Sequence, residues 1–431
     1  MSTQHTSPCA TPDAGYNTAM LPNGLRIIHR PSPSPVVYCG YAVNAGTRDE
    51  LPGEEGMAHF CEHMTFKGTA RRRALQILNC LERVGGDLNA FTGKEDTVYH
   101  AAVLREHTAR AVDLLTDTVF GSTYPQAEID KEVEVICDEI ESYNDSPAEL
   151  VYDEAENAVF ARSPLGHSIL GEAAQLRTYT TAQARAFAQR LYRPGRAVFF
   201  AYGDLPFGRL CAMLRRAHGI DAAAPMLPCP TPEEVAAHNL RPAALQPYAP
   251  SHNVREMHTH QTHVMLANRT WAAGDPRRTA LYLMNNILGG PGMNARLNLS
   301  LRERHALVYT VESFMTGYGD TGLWGVYFGC DPHDTARCLA LVRRELDRFM
   351  RQPLSPTALA AAKRQIKGQI GVACDSRESF ALDFAKTFLH YGTLKDIKAL
   401  YDRIDSVSAQ DMMAVARQLF DKDSLTTMTI R

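Results

Sequence analysis

The sequence predicts an α+β protein of two similar domains, each an antiparallel-rich sheet packed with helices, joined by a proline-rich linker. Three observations lead there. The chain has 431 residues, more than one hydrophobic core ordinarily serves. Strand-like and helix-like segments alternate in both halves. Between them, from His218 to Ser251, stand Pro225, Pro228, Pro230, Pro232, Pro242, Pro247 and Pro250. Prolines at that density exclude a long helix or a central strand. The expected layout is a first domain over 1–217, a linker over 218–251 and a second domain over 252–431.

In the first half, the apolar runs Leu25–His29, Val36–Val43, Val98–Leu104 and Ala197–Tyr202 read as strands. Met57–Phe66, Arg72–Val84, Ala109–Phe120, Pro125–Tyr143 and Thr181–Leu191 read as helices. The second half follows a similar order. Strands are expected near Val254–Leu266, Tyr309–Met315 and Gly322–Phe328, then helices over Thr335–Met350 and Thr357–Ile370. A mixed unit occurring twice points to duplication, although identity between the halves is too weak to show it directly.

Chemistry concentrates in Gly56-Met57-Ala58-His59-Phe60-Cys61-Glu62-His63-Met64. On a helix His59 and His63 are i and i+4, so both imidazoles leave one face and converge on a single point. Glu62, one residue before His63, can reach a water there without itself acting as a ligand. Two imidazoles plus a later carboxylate form the usual open site of a catalytic zinc, and this order of residues is the inverted zinc-protease motif. Cys61 lies two residues from each histidine, so it faces away from them and reads as a packed core thiol.

A source for the carboxylate follows in the segment from Pro125 to Asp145. Pro125 suits a first turn, and Ile129, Val133, Ile136 and Ile140 recur at helical spacing. Glu132 and Glu139 are seven residues apart, two turns, and share a face. Taken alone, both are ordinary solvated acids of an amphipathic helix.

With these residues in view the chain resembles the pitrilysin/insulinase family of zinc peptidases, in particular the short-chain branch that includes the mitochondrial processing peptidase β subunit. Glu139 stands 76 positions after His63, the family's spacing to its third ligand, and Glu132 matches the family's auxiliary glutamate seven residues earlier. Ala45-Gly46-Thr47-Arg48-Asp49-Glu50, Phe66-Lys67-Gly68-Thr69, Leu165-Gly166-His167-Ser168-Ile169-Leu170-Gly171 and Gly203-Asp204 are similar too. Gly85-Gly86-Asp87-Leu88-Asn89-Ala90-Phe91-Thr92 is similar to the family's substrate-binding edge strand. The resemblance runs from about Leu21 to the C-terminus.

What the resemblance implies is specific. One zinc ion per chain would be held by His59, His63 and Glu139, with Glu62 as general base and a peptide lying along Asn89, Ala90 and Phe91. After Gly289-Gly290-Pro291-Gly292, Arg302 and Tyr309 have the family's seven-residue spacing for an Arg/Tyr pair that grips the scissile carbonyl and its oxyanion. The glycine run itself lacks the Lys-Ser/Thr of a phosphate loop. Since one chain has both sets, a homodimer is expected, with a heterodimer beside a sister chain as the alternative. The implied activity is endopeptidase cleavage of extended or unfolded peptides inside a chamber formed by two clam-like halves.

Composition agrees. A hydrophobic share of 45%, 22% charged residues and a net charge of −3 describe a globular chain with no reason to bind nucleic acid or an anionic membrane. No basic-then-apolar leader is visible at the N-terminus, and the ten cysteines are scattered, so a cytoplasmic enzyme with free thiols is expected. His258, His260 and His263 read as structural or surface residues, since on a strand His263 would point away from the other two. Arg71-Arg72-Arg73 reads as a solvated helix start. Two rival functions are a non-catalytic subunit, which would lack members of the metal set, and a small-molecule lyase, which would lack a second domain bearing an Arg/Tyr pair.

Overall fold

The computed structural model describes residues 15–239 and 245–431. The N-terminal stretch to residue 14, with Cys9, and Pro242 of the linker lie outside the described residues.

Eleven strands are described: β1 Asn17–Met20, β2 Arg26–Pro31, β3 Val36–Val43, β4 Asp87–Thr92, β5 Thr97–Leu104, β6 Ala197–Gly203, β7 His252–Arg255, β8 Thr262–Thr270, β9 Val308–Gly317, β10 Gly322–Cys330 and β11 Thr426–Ile430. They form two sheets, ordered β1-β2-β6-β3-β5-β4 and β7-β11-β8-β10-β9. Each sheet has a single parallel pair, β2 with β6 and β7 with β11. All other neighbours are antiparallel.

The duplication that residue identity hides is plain in the topology. Leaving β1 aside, each sheet takes its five strands in the same spatial order, first-fifth-second-fourth-third, with the parallel pair in the same place. The helices repeat as well: Thr108–Gly121 after β5 corresponds to Thr335–Arg351 after β10, and Gln126–Asn144 to Pro356–Ala373.

The two compact units do not follow the contiguous 1–217 and 252–431 expected from sequence. Among the described residues, the first takes in those within 1–140, 169–240 and 373–396, the second those within 141–168, 241–372 and 397–431. Helix Pro147–Val159 therefore packs on β8 and β11 of the second sheet, while its topological counterpart Arg377–Tyr391 packs on β6 and β3 of the first. The physical reason is local. Leu150, Val151, Ala155 and Val159 join Met265, Ala267, Met428 and Ile430 in one apolar cluster, and Phe384 stacks edge-on with Phe200.

Two further expectations change. The single strand near Val254–Leu266 is two strands, β7 and β8, separated by a non-strand stretch in which His258 adopts φ 54°. The linker also holds a short helix, Pro232–His238, with Pro232 in its first turn and Thr231 capping it by accepting from the Glu234 N–H.

The turn between β4 and β5 is unusual because it is charged yet buried. Lys94, Glu95 and Asp96 are 4%, 7% and 4% exposed, where a turn would ordinarily be solvated. Arg48 donates to Glu95 at 2.7 Å, and the Thr47 and Arg48 N–H groups donate to the carbonyls of Gly93 and Lys94. Gly46 lies so close that a Cβ would fall 2.5 Å from the Gly93 carbonyl oxygen. The Asp96 carboxylate meets His390 Nε2 at 2.8 Å and Lys386 Nζ at 3.0 Å. Burial alone would raise the Asp96 pKa, but the His390 hydrogen bond and the Lys386 charge outweigh it and hold the group at about 2.

That depression makes a testable contribution to stability. An unfolded Asp titrates near about 3.9. Stabilisation by Asp96 should be complete above roughly pH 5 and fade as pH falls through about 4 towards 2. A gap of about two pKa units amounts to about 2–3 kcal/mol. Urea denaturation of the parent and Asp96→Asn chains should differ most above pH 5 and converge near pH 2. A difference independent of pH would remove the electrostatic account.

Candidate metal centre

The motif helix is Met57–Thr65, nine residues long and buried along nearly all of it. Met57, Ala58, Phe60, Cys61 and Met64 enter the core with no exposed surface, which leaves His59, Glu62 and His63 on the remaining face. Gly56 begins the helix at φ 91°, where a Cβ would fall 2.8 Å from the Leu170 carbonyl oxygen and from Gly171 Cα. Only glycine fits both that conformation and that approach. Glu50 accepts from the N–H groups of Gly56 at 3.0 Å and Ala58 at 2.8 Å. A carboxylate there satisfies orphan donors and opposes the positive end of the helix dipole.

The acidic helix is Gln126–Asn144, and the expected apolar stripe is inside: Ile129, Val133 and Ile136 are buried and Ile140 packs partly against the same core. Glu139 Oε2 lies 3.8 Å from His59 Nε2 and 3.5 Å from His63 Nε2. One ligand atom from each of the three residues lies within 4.8 Å of the others. Donors about 2.0–2.1 Å from a tetrahedral zinc stand roughly 3.3–3.4 Å apart, so this spacing suits a shared ion better than direct hydrogen bonds. Two imidazoles and one carboxylate are also a zinc-type donor set. Among the described residues this is the one such cluster.

The surroundings sort the remaining groups. His63 Nδ1 lies 3.0 Å from Glu132 Oε1, and a carboxylate accepts, so Nδ1 carries the hydrogen and leaves the Nε2 lone pair facing Glu139. Lys67 Nζ holds the other Glu132 oxygen at 2.5 Å. Burial depresses the His63 pKa, but the Glu132 hydrogen bond and the charges of Glu62, Glu139 and Glu132 more than offset this, and the net shift is upward. His59, buried and beside His63, is pushed down to about 3 and is neutral, the form that can coordinate. Its Nδ1 is buried without a hydrogen-bond partner. Burial raises the Glu62 pKa, tempered by the hydrogen bond from Thr92 Oγ1 at 2.6 Å and by His63.

Asn89, Ala90 and Phe91 lie on β4, the edge strand of the first sheet. Asn89 is exposed, while Ala90 and Phe91 are half-buried. Arg302 lies in the last turn of a π-helical stretch, Asn298–Glu303. Tyr309, 81% exposed on β9, places its ring 5.5 Å from the Arg302 guanidinium, so these two form a pair of their own in the second unit. Cys61 turns away from the histidines, with Sγ 3.9 Å from the Ala184 carbonyl oxygen. His263 bonds Tyr327 OH at 2.9 Å, and Arg71 and Arg72 pair with Asp113 and Asp117. None of the nine described cysteines forms a disulfide. Sequence reasoning gave no role to Glu50, Lys67 or Thr92. Each stands inside a string that carried the resemblance, which was the available signal.

Fold and site together define a two-domain α+β chain carrying the inverted zinc-protease motif. Residues 26–173 match the family described as Insulinase (Peptidase family M16), and residues 178–366 match the Peptidase M16 inactive domain. An uncharacterized zinc protease of Streptomyces coelicolor is 32% identical, covering 93% of this chain and 86% of its own. One from Bacillus subtilis is 30% identical over 93% and 95%. The mitochondrial-processing peptidase subunit beta of Bos taurus is 29% identical over 93% and 81%. The chain belongs to the insulinase (M16) family of peptidases. Its fold is that of a Helicobacter pylori protease, with TM-score 0.87 and 18% identity over 97% of this chain and 99% of that one. A Pseudomonas fluorescens structure titled as a peptidase M16 inactive domain gives 0.84 and 19% over 96% and 98%. Among the described residues, no helix is long and apolar enough to cross a membrane.

The two glutamates should separate by metal content. His63→Ala and Glu139→Ala are expected to lose stoichiometric zinc after dialysis. Glu132→Gln should retain it with affinity weakened about 10–100-fold, as for other residues that orient a ligand. Zinc analysis with chelator competition reads both outcomes, and equal loss from all three variants would make Glu132 a ligand.

Proposed function

We propose that this chain is a zinc-dependent endopeptidase acting on extended or unfolded peptides. The observation that carries the reading is the convergence of His59, His63 and Glu139 within 4.8 Å, with Glu62 beside them and hydrogen-bonded to Thr92 of the edge strand. Zinc at these three residues would supply Lewis-acid polarisation of the scissile carbonyl and activation of water.

The chain's own groups take the remaining roles. Glu62 accepts a proton from the attacking water and returns it to the leaving amine. Its raised pKa suits both directions of transfer, and the Thr92 hydroxyl fixes which oxygen stays free. A peptide adds to β4 as a further strand, held through its backbone beside Asn89, Ala90 and Phe91. Arg302 grips the peptide carbonyl and Tyr309 donates to its oxyanion as charge develops. The working assembly in this reading is a symmetric pair of chains, with a heterodimer beside a sister chain as the other outcome of a solution mass measurement. A non-catalytic subunit is the weaker reading, because the full donor set and its supporting Glu132 and Lys67 are present.

Glu62→Gln removes no ligand, so zinc content should hold while cleavage of an unstructured peptide falls by several orders of magnitude. Near-parental turnover with metal bound would reassign the base. Tyr309→Phe should also keep its zinc and lose about a hundred- to a thousand-fold in turnover, the range for one oxyanion donor. Mixing the Glu62→Gln and Tyr309→Phe chains adds a check: activity restored on mixing would mean that the pair is supplied across a dimer. A chelator should abolish cleavage and zinc should restore it; cleavage that survives chelation would sink the metal reading.

A further inference from the structure

Helix Arg377–Tyr391 runs along the hairpin that carries the proposed substrate strand and touches it at three places. Near its start, Glu378 pairs with His100 of β5 at 3.4 Å. His100 is the cross-strand partner of Asn89. Two residue pairs further along, Phe91 meets His100 edge-on at 6.1 Å and lies 5.5 Å from the Lys386 ammonium. Lys386 and His390 then hold Asp96, in the buried turn that ends the hairpin.

The faces of β4 divide accordingly. Leu88 and Ala90 pack against the core that contains the motif helix, and Thr92 donates to Glu62. Phe91 turns to helix Arg377–Tyr391. This alternation is that of a strand, so the helix braces the face of β4 opposite the candidate metal centre. The brace is itself anchored. Arg26, 5% exposed, donates to the carbonyls of Phe388 at 2.8 Å and Leu389 at 2.9 Å. Asn239 donates to those of Leu389 and His390. Gly392 closes the helix at φ 63°. The helix end is thus tied to β2 and to the short helix before residue 240, and its side chains reach the hairpin from a fixed base.

We propose that helix Arg377–Tyr391, contributed by the C-terminal half of the chain, positions the peptide-binding edge strand through Lys386, His390 and Asp96, and so sets peptide affinity. These are positioning residues; none is proposed to touch the scissile bond. The inference rests on the peptidase reading given above, in which β4 receives the peptide. Its consequence is that Lys386 and His390, about 300 positions from Asn89 in sequence, govern substrate binding without governing metal binding.

The test uses the full-length chain with Lys386→Met, Asp96→Asn and the conservative Lys386→Arg. Zinc content, peptide KM and kcat, and hydrogen exchange of β4 amides are measured for each. Lys386→Met and Asp96→Asn should keep stoichiometric zinc, raise KM for an unstructured peptide about tenfold or more and change kcat less. In Lys386→Met, exchange over Asp87–Thr92 should quicken while β3 and β6 stay protected; in Asp96→Asn, which also lowers overall stability, it should rise further in β4 than in β3 and β6. Lys386→Arg should remain near the parent, since it keeps a cation over Phe91 and beside Asp96. Unchanged KM in both disruptive variants would overturn the proposal, as would exchange that rises equally in every strand, which marks general destabilisation. A parent chain that binds zinc yet neither binds nor cleaves peptide would instead refute the peptidase reading, and this inference with it. A parent that cleaves normally beside unaffected variants refutes the inference alone.

Discussion

The structure depends on placing three ionisable side chains on one buried helix of nine residues. Burial disfavours charge, and it does so unevenly: His59 is driven down to about 3 while Glu62 is driven up. A neutral imidazole and a carboxyl that readily takes a proton are what the proposed metal-assisted hydrolysis would need, so the desolvation that threatens the fold is also what the proposed chemistry would use. The surrounding structure offsets its cost in specific ways. Glu50 closes the helix N-terminus, Thr92 takes one Glu62 oxygen, and Glu132 with Lys67 compensates His63.

The same loop joins that helix to the edge strand. From Ala45 to Glu50 the backbone and side chains bind Gly93, Lys94, Glu95 and Thr97 at one end and the start of the motif helix at the other. A short segment therefore sets the distance between Glu62 and Thr92. This gives the Ala-Gly-Thr-Arg-Asp-Glu string a physical meaning. Gly46 permits the close approach, Arg48 neutralises a buried glutamate, and Glu50 caps.

Much of this was legible in the sequence, for reasons that differ by residue. Val36–Val43 and Thr181–Leu191 match their elements end to end, because their patterns are long and their boundaries carry turn or capping residues. Thr180, for example, caps the latter by accepting from Gln183 N–H. The convergence of His59 and His63 was legible because i, i+4 spacing is itself geometry, while Glu139 was reached only through the resemblance. The unit boundaries were not. A helix records in its sequence which face is apolar but not which sheet it covers, so Pro147–Val159 and Arg377–Tyr391 look as though each packs on its own half. The β7–β8 break was hidden too, since His258 and His260 interrupt an apolar pattern without a glycine or proline to mark the turn.

Glu132 and Glu139 show where spacing stops being sufficient. Two turns apart, they share a face, and sequence periodicity treats them alike. The fold separates them by what each one meets. Glu132 is 7% exposed, engaged by Lys67 and by the far nitrogen of His63. Its charge is already compensated, and the hydrogen bond and cation that hold it keep its pKa low against the pull of burial. Glu139, with its side chain 44% exposed, faces the near nitrogens of both histidines and, unlike Glu132, pairs with no lysine. A carboxylate that faces the near nitrogens of both histidines and no ammonium can share an ion with them, whereas one already bonded to an ammonium is engaged. The division of labour between the two acids thus follows from Lys67, a residue four positions after His63 that no motif of metal ligands would have included.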